Sequence, residues 1–327
     1  MKKFTSFYTY PNFTLDDASV GHKIKLDLDA KKLRQVIYEY QSENGWMLKI
    51  SADGLLQFSH DKIEEEIEEI EESWKGDLTN AKSIASSWSK YLDICNAIHL
   101  CFECCMHRNE LNFFSFEFKT VSYGDIARVT YDSDNLPIRQ TSYRSGGINT
   151  LMRHGDYLPD EIEKVAIPKS AIDYLCIYYL ESMLQDDLTL QLAVKVGQSL
   201  SDHNISNWSS SVITSWFVTE WYLGKLWDDF VDSKSITGNR KKRMSGVNYT
   251  TSIIIEHLQL HKIIDDSKYE TINKLRKKRN DIAHKFIDTD ATKQDSIEGL
   301  DLCKWVLMET TGLEFTFFGH GFPQHGL

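Results

Sequence analysis

The second half of the chain repeats one pattern of apolar and polar positions. Apolar residues recur every three or four places through 170–184, 188–200, 207–231, 250–260, 267–286 and 292–310, the period of helices with one buried face. Pro168 suits the first turn of the first of these. The polar stretch 233–239 and the basic run behind it predict a loop between two helices, and 313–318 predicts a short closing strand before a tail. The first half mixes two periods. Residues 114–119 and 126–131 alternate apolar and polar around a turn composition at 122–125, which predicts a hairpin, with a further strand at 138–143. Residues 46–51 and 55–58 flank Asp53-Gly54, the dipeptide of tight hairpin turns. Helices separate these pairs: 60–74 carries Ile63, Ile67 and Ile70 at i, i+4, i+7 among glutamates, and 81–106 keeps a helical period over a longer span. Periodicity lapses between 145 and 159. The pattern therefore predicts an α+β protein, with a mixed domain of antiparallel β-hairpins and helices over 1–150 and an all-α bundle over 151–327.

Length agrees with two domains, since 327 residues exceed the roughly 100–200 of one. Hydrophobic residues at 41%, five prolines and no low-complexity tract describe a chain folded throughout. A formal net charge of −11 argues against a protein that coats nucleic acid indiscriminately, because that binding rests on phosphate neutralisation by Lys and Arg. Positive charge is instead clustered, at Arg240-Lys241-Lys242-Arg243 and over 274–285, while acid runs such as Glu64-Glu65-Glu66 lie elsewhere. The start lacks the apolar core of a secretory signal, and no run approaches the ~20 apolar residues of a membrane span, so a soluble cytoplasmic protein with no membrane contact is expected. Of six cysteines, four crowd between Cys95 and Cys105, which fits reduced thiols better than a disulfide framework. Cys101, Cys104 and Cys105, with His99 and His107 close by, lie in one apolar helical stretch and read as packing rather than as a metal site. His257 and His261 have the i,i+4 spacing of a ligand pair but no carboxylate or thiol at a matching interval. Neither metal nor cofactor is expected. No P-loop, G-x-G-x-x-G, H-E-x-x-H or G-x-S-x-G is present, which removes support for nucleotide motors, dinucleotide enzymes, zincins and common serine hydrolases.

Chemistry concentrates in the basic stretch 274–285. On a helix, Asn280 and His284 at i,i+4 are neighbours, and Arg279 lies on the flank with a side chain long enough to reach the same phosphate. Imidazole suits proton transfer near neutrality, and the surrounding cationic charge disfavours its protonated form. The spacing Arg279-Asn280-x-x-x-His284 resembles the R-x(4)-H signature, commonly R-N-x-x-x-H, of the HEPN superfamily, whose active members are metal-independent endoribonucleases built on a small helical bundle. The resemblance covers the C-terminal half only. It implies that Arg279 and His284 are catalytic, that Asn280 supports them, and that the site is completed by the same motif of a second protomer. It also implies that an acidic residue on an earlier helix faces the motif. Glu220, in an aromatic helix upstream, is the candidate to hold Arg279 or His284, with plain surface exposure as the other reading.

By that resemblance RNA is cut by attack of a ribose 2′-hydroxyl on its own phosphodiester, leaving a 2′,3′-cyclic phosphate and a 5′-hydroxyl, so DNA stays intact. One histidine does not easily serve as base and acid at opposite ends of the reaction, whereas two copies do, which predicts a homodimer through the α-domain. Arg276, Lys277, Lys278 and Lys285 around the motif, and Arg240, Lys241, Lys242 and Arg243, are candidate contacts to the RNA backbone. Trp208, Trp216, Trp221 and Trp227 read as core rather than as base-stacking platforms. Active relatives are toxins and antiphage-defence effectors, so the first 150 residues are expected to sense a trigger, bind a partner such as an antitoxin, or gate the dimer. The rivals are an HEPN-like scaffold that binds RNA, nucleotide or protein without cutting, and a DNA-associated defence subunit.

Overall fold

A computed structural model describes residues 3–9, 13–26, 30–73, 78–108, 118–131, 136–140, 162–244, 249–284 and 290–316. The chain divides into two compact units, Met1–Val194 and Lys195–Leu327. In chain order the first contains β1 (Phe4–Phe7), β2 (Phe13–Leu15), β3 (Lys23–Leu26), α1 (Ala30–Arg34), β4 (Val36–Gln41), β5 (Trp46–Ser51), β6 (Leu56–His60), α2 (Asp61–Ser73), α3 (Leu78–Arg108), β7 (Ala127–Tyr131), β8 (Pro137–Gln140) and β9 (Ile162–Ile167). The helices α4 (Lys169–Tyr174) and α5 (Glu181–Met183) follow, joined by a π-helical section, Leu175–Leu180. The division between units falls inside α6 (Asp187–Asn204). The second unit continues with α7 (Trp208–Asp232), α8 (Gly238–Met244), α9 (Thr251–Leu260), α10 (Asp266–His284) and α11 (Lys293–Thr311). The chain is therefore α+β, with its antiparallel sheet N-terminal and its second unit helical.

A six-stranded antiparallel sheet of order β4-β5-β6-β1-β7-β8 organises the first unit, and a smaller sheet places β9 between β2 and β3. The Asp53-Gly54 hairpin forms as expected between β5 and β6. Gly54 has φ +80°, and a Cβ on it would stand 2.0 Å from the Phe13 carbonyl oxygen, so only glycine fits there. Tyr8 Oη donates to Asp53 Oδ2 at 2.5 Å and Thr14 Oγ1 to the Ala52 carbonyl at 2.7 Å, which pins the turn from outside.

The expected hairpin between 114–119 and 126–131 is corrected. Both edges of β7 are taken, one by β1 and the other by β8, and residues 109–117 lie outside the described residues. The periodicity also missed β1, whose four residues are all buried, because a strand covered on both faces shows no alternation. The division of the chain likewise comes later than the expected 150/151. β9 pairs in parallel with β2 and antiparallel with β3, so chain well past that point belongs to the first unit; residues 141–161 lie outside the described residues.

Beneath the large sheet a buried ion pair joins α2 to β7. Arg128 donates through Nη1 to Glu64 Oε1 at 2.7 Å and through Nη2 to Oε2 at 2.5 Å, and Nη1 also reaches Thr5 Oγ1 at 3.3 Å. The Tyr91 hydroxyl donates to the same carboxylate, and burial followed by the Glu64 charge pushes that phenol well up, keeping it a neutral donor. The rings of Trp88 and Tyr91 lie 5.9 and 5.6 Å from the guanidinium carbon. All six cysteines are buried free thiols, and burial pushes that of Cys176 up to about 12.

In the second unit α7 runs through the core and packs against α9, α10 and α11. Val212, Trp216, Leu223 and Trp227 of α7 meet Ile255 and Leu258 of α9, and Ile272, Leu275 and Ile282 of α10. Trp216 and Trp227 are thus core residues, while Trp208 packs at the edge of the cluster. The N-terminus of α11 closes with a capping box between Thr292 and Asp295, and Gly312 ends that helix with φ +68°. Gly299 lets α11 approach α7, since a Cβ there would lie 2.9 Å from Ser215 Cβ. Two expectations fail here. The basic run is not loop but the two-turn helix α8, and residues 313–316 form no regular element, those beyond lying outside the described residues. Among the described residues no helix is long and apolar enough to cross a membrane.

Candidate functional site

The motif occupies the last two turns of α10, which carries the buried stripe Ile272, Leu275 and Ile282. That spacing puts Arg279, four residues past Leu275 and three before Ile282, within the buried stripe itself, where it is half-buried. Its Nη1 donates to Asn280 Oδ1 at 3.0 Å. His284, five residues on, lies about 140° further around the helix and is exposed at the helix end. It shares a line with Asn273, Lys277 and Asn280 rather than with Arg279. One α10 therefore presents the guanidinium and the imidazole to different sides.

The cations around the motif divide into two groups. Lys274 pairs with Glu298 at 2.6 Å and lies 3.9 Å from Asp295, and Lys278 lies 3.5 Å from Asp295, so both face α11. Burial pushes the Asp295 carboxyl up, but the backbone N–H and hydroxyl of Thr292 and the Lys278 charge outweigh it and hold the group below its usual range. Lys278, expected to touch RNA, is engaged within the fold. Lys277 is exposed, Arg276 donates from Nε to Asn273 Oδ1 at 3.3 Å, and Lys285 lies outside the described residues.

Glu220 does not hold the motif. Its Oε2 accepts from Trp216 Nε1 at 2.9 Å and its Oε1 from Thr251 Oγ1 at 2.6 Å, so it ties α7 to the start of α9. A half-buried acid needs donors, and these two meet that need without Arg279 or His284. Arg240, Lys241, Lys242 and Arg243 stand on α8.

Sequence reading missed a buried polar chain in the same unit. His203 Nδ1 lies 2.8 Å from Ser296 Oγ, which donates to Ser211 Oγ at 2.7 Å; Ser199 Oγ then lies 3.0 Å from Ser211 Oγ and 2.7 Å from Ser215 Oγ. The five residues come from α6, α7 and α11, and their sequence spacing carries no local signature. Burial, then the Lys293 charge, hold the His203 imidazole below its ordinary range, so the folded state keeps it neutral. The unfolded chain takes up a proton near pH 6.5 that the folded chain refuses. Stability is therefore expected to be level above that pH and to fall below it, by at most about 1.4 kcal/mol per pH unit for one group. Asp295 acts only in the more acid range of carboxylates, where its depressed value makes stability fall as it protonates. Urea midpoints of the parent and His203→Gln from pH 8 to 5 check this: the parent should lose stability relative to the variant below about pH 6.5. Parallel curves would show that His203 titrates alike in both states.

Comparison with protein-family models, with curated proteins and with solved structures returns no match to this chain.

Proposed function

We propose that the chain is a metal-independent endoribonuclease of the toxin or antiphage-defence kind, acting in the cytoplasm, with Arg279 and His284 of α10 as its catalytic residues. The observation that carries the reading is the motif's placement: Arg279 is braced by Asn280 on a packed helix whose last residue is the exposed His284. In this reading the His284 imidazole takes the proton of a ribose 2′-hydroxyl as its oxygen attacks the adjacent phosphorus. The bond from phosphorus to the 5′-oxygen breaks, and a second histidine protonates that oxygen. Arg279 balances the charge gathering on the phosphoryl oxygens. Because α10 turns Arg279 and His284 about 140° apart, the reading requires a second copy of the helix to supply the complementary group and the second imidazole. A homodimer through the helical unit follows, with the first unit engaging an antitoxin or trigger.

The same separation favours a second reading, in which the half-buried Arg279 braces the bundle and the unit binds without cutting. Incubation of the purified chain with RNA and with DNA of matching sequence separates the two. Cleavage of RNA alone, with 2′,3′-cyclic phosphate ends, is expected, and the sedimenting species should have twice the 37.9 kDa chain mass at micromolar concentration. Intact RNA would overturn the nuclease reading, and a strict monomer would overturn the shared site.

A further inference from the structure

The histidine pair His257 and His261 extends a group of rings whose inner members, Trp227, Tyr249 and Phe230, belong to or pack on the helical core. Trp227 of α7 stacks on Tyr249 with centroids 5.3 Å apart and planes 22° apart, and lies 5.5 Å from the His257 ring. His257 is nearly parallel to His261, at 6.4 Å and 13°, and His261 lies 4.6 Å from Phe230. Trp227 is buried, Tyr249, His257 and Phe230 are half-buried, and His261 is exposed, so the group runs from core to surface. The Lys234 ammonium sits 4.4 Å over the Phe230 ring, which also lies 5.7 Å from Trp227. Packing explains the buried rings. It gives no reason for an exposed imidazole aligned with them, and among the described residues no set of ligands gathers that would make the pair a metal site.

Beside these rings stands α8, a helix none of whose side chains is buried and which carries Arg240, Lys241, Lys242 and Arg243. Arg240 and Arg243 are neighbours at i,i+3, and such like charges repel. The helix is nonetheless fixed to the innermost ring of the group. Trp227 Nε1 donates to the Met244 carbonyl at 2.9 Å, and Lys241 Nζ lies 2.6 Å from Asp232 Oδ1 at the end of α7. A group of flat rings and the exposed cations Arg240 and Arg243 are thus held in one place by the same tryptophan.

We propose that this surface binds single-stranded nucleic acid, with a base stacking against the exposed His261 ring and the flanking phosphates lying along Arg240 and Arg243. Every base has a π-face, so stacking of this kind tolerates any sequence, and cations beside the stack follow the backbone. A duplex keeps its base faces covered and does not fit. Lys234, over the neighbouring Phe230 ring, is placed to reach a phosphate of the same strand. The site is separate from the motif on α10, and the overall charge of −11 confines polyanion binding to such a local patch.

The test is binding of the full chain to a fluorescent single strand of roughly ten nucleotides with 2′-O-methyl riboses, followed by anisotropy over a range of salt. Such a strand has no free 2′-hydroxyl, so binding is read whether or not the chain cuts RNA. His261→Ala is expected to weaken binding roughly tenfold, and His261→Tyr to restore it, since only the ring is required. Arg240→Ala with Arg243→Ala should lower the salt dependence by about one to two units of log–log slope. These exposed positions leave the fold intact, which a circular dichroism melt of each variant confirms. Affinity unchanged in His261→Ala, equal affinity for the duplex, or no binding by the parent at low salt would each overturn the proposal. A nuclease-dead chain that still binds in this way would leave it standing.

Discussion

His284→Ala is expected to lower RNA cleavage by about 10²–10⁴-fold, the usual contribution of a positioned general acid or base. The residue is exposed at the end of α10, so its removal should leave the urea midpoint within roughly 0.5 kcal/mol of the parent. Loss of activity without loss of stability distinguishes a chemical role from a structural one. Arg279 calls for a gentler change because it is half-buried and bonded to Asn280. Arg279→Lys keeps the charge but loses the planar fork, and a fall in kcat of about 10²-fold with little change in KM is expected if the guanidinium acts on the transition state. Initial rates on a labelled RNA measure both variants. Cleavage undiminished in His284→Ala would remove the proposed mechanism altogether.

Arg128→Met should destabilise the first unit by about 3–5 kcal/mol. Arg128 and Glu64 are both buried, and two parallel hydrogen bonds plus the Tyr91 hydroxyl satisfy the carboxylate. Removing the guanidinium leaves that carboxylate in a low-dielectric site with only the tyrosine as donor, and an unpaired buried charge is far costlier than a missing pair. The double variant Glu64→Leu with Arg128→Met should therefore recover most of the loss, because it removes both charges together. Urea denaturation followed by tryptophan fluorescence gives both numbers. A single variant within about 1 kcal/mol of the parent, or a double variant no better than the single, would contradict the account of this pair.

Much of the fold was legible because its signals are local. The Asp53-Gly54 turn, the long period of α3 and the helices α7, α9, α10 and α11 each announce themselves within a few residues. The basic run was misread for the opposite reason. Nothing within Gly238–Met244 anchors a helix, and its fixed points, Trp227 and Asp232, belong to α7. Glu220 shows the same limit, since its sequence neighbourhood revealed that an acid needed partners without revealing which donors stood within reach. Of the candidate site, the helix and its cationic character were readable. The division of its cations between α11 and solvent was not, because Asp295 and Glu298 approach from another helix.

By itself the sequence determined where most helices and the main hairpin run and which residues of α10 carry an imidazole and a guanidinium, because backbone periodicity and side-chain chemistry are properties of neighbouring residues. Only the tertiary structure decided which polar groups meet: Glu64 with Arg128, His203 with Ser296, and the group of rings with α8. These partners lie on different elements, 93 residues apart for His203 and Ser296, and a hydrogen bond or ring contact acts only over a few ångströms. Packing alone brings such groups within that range.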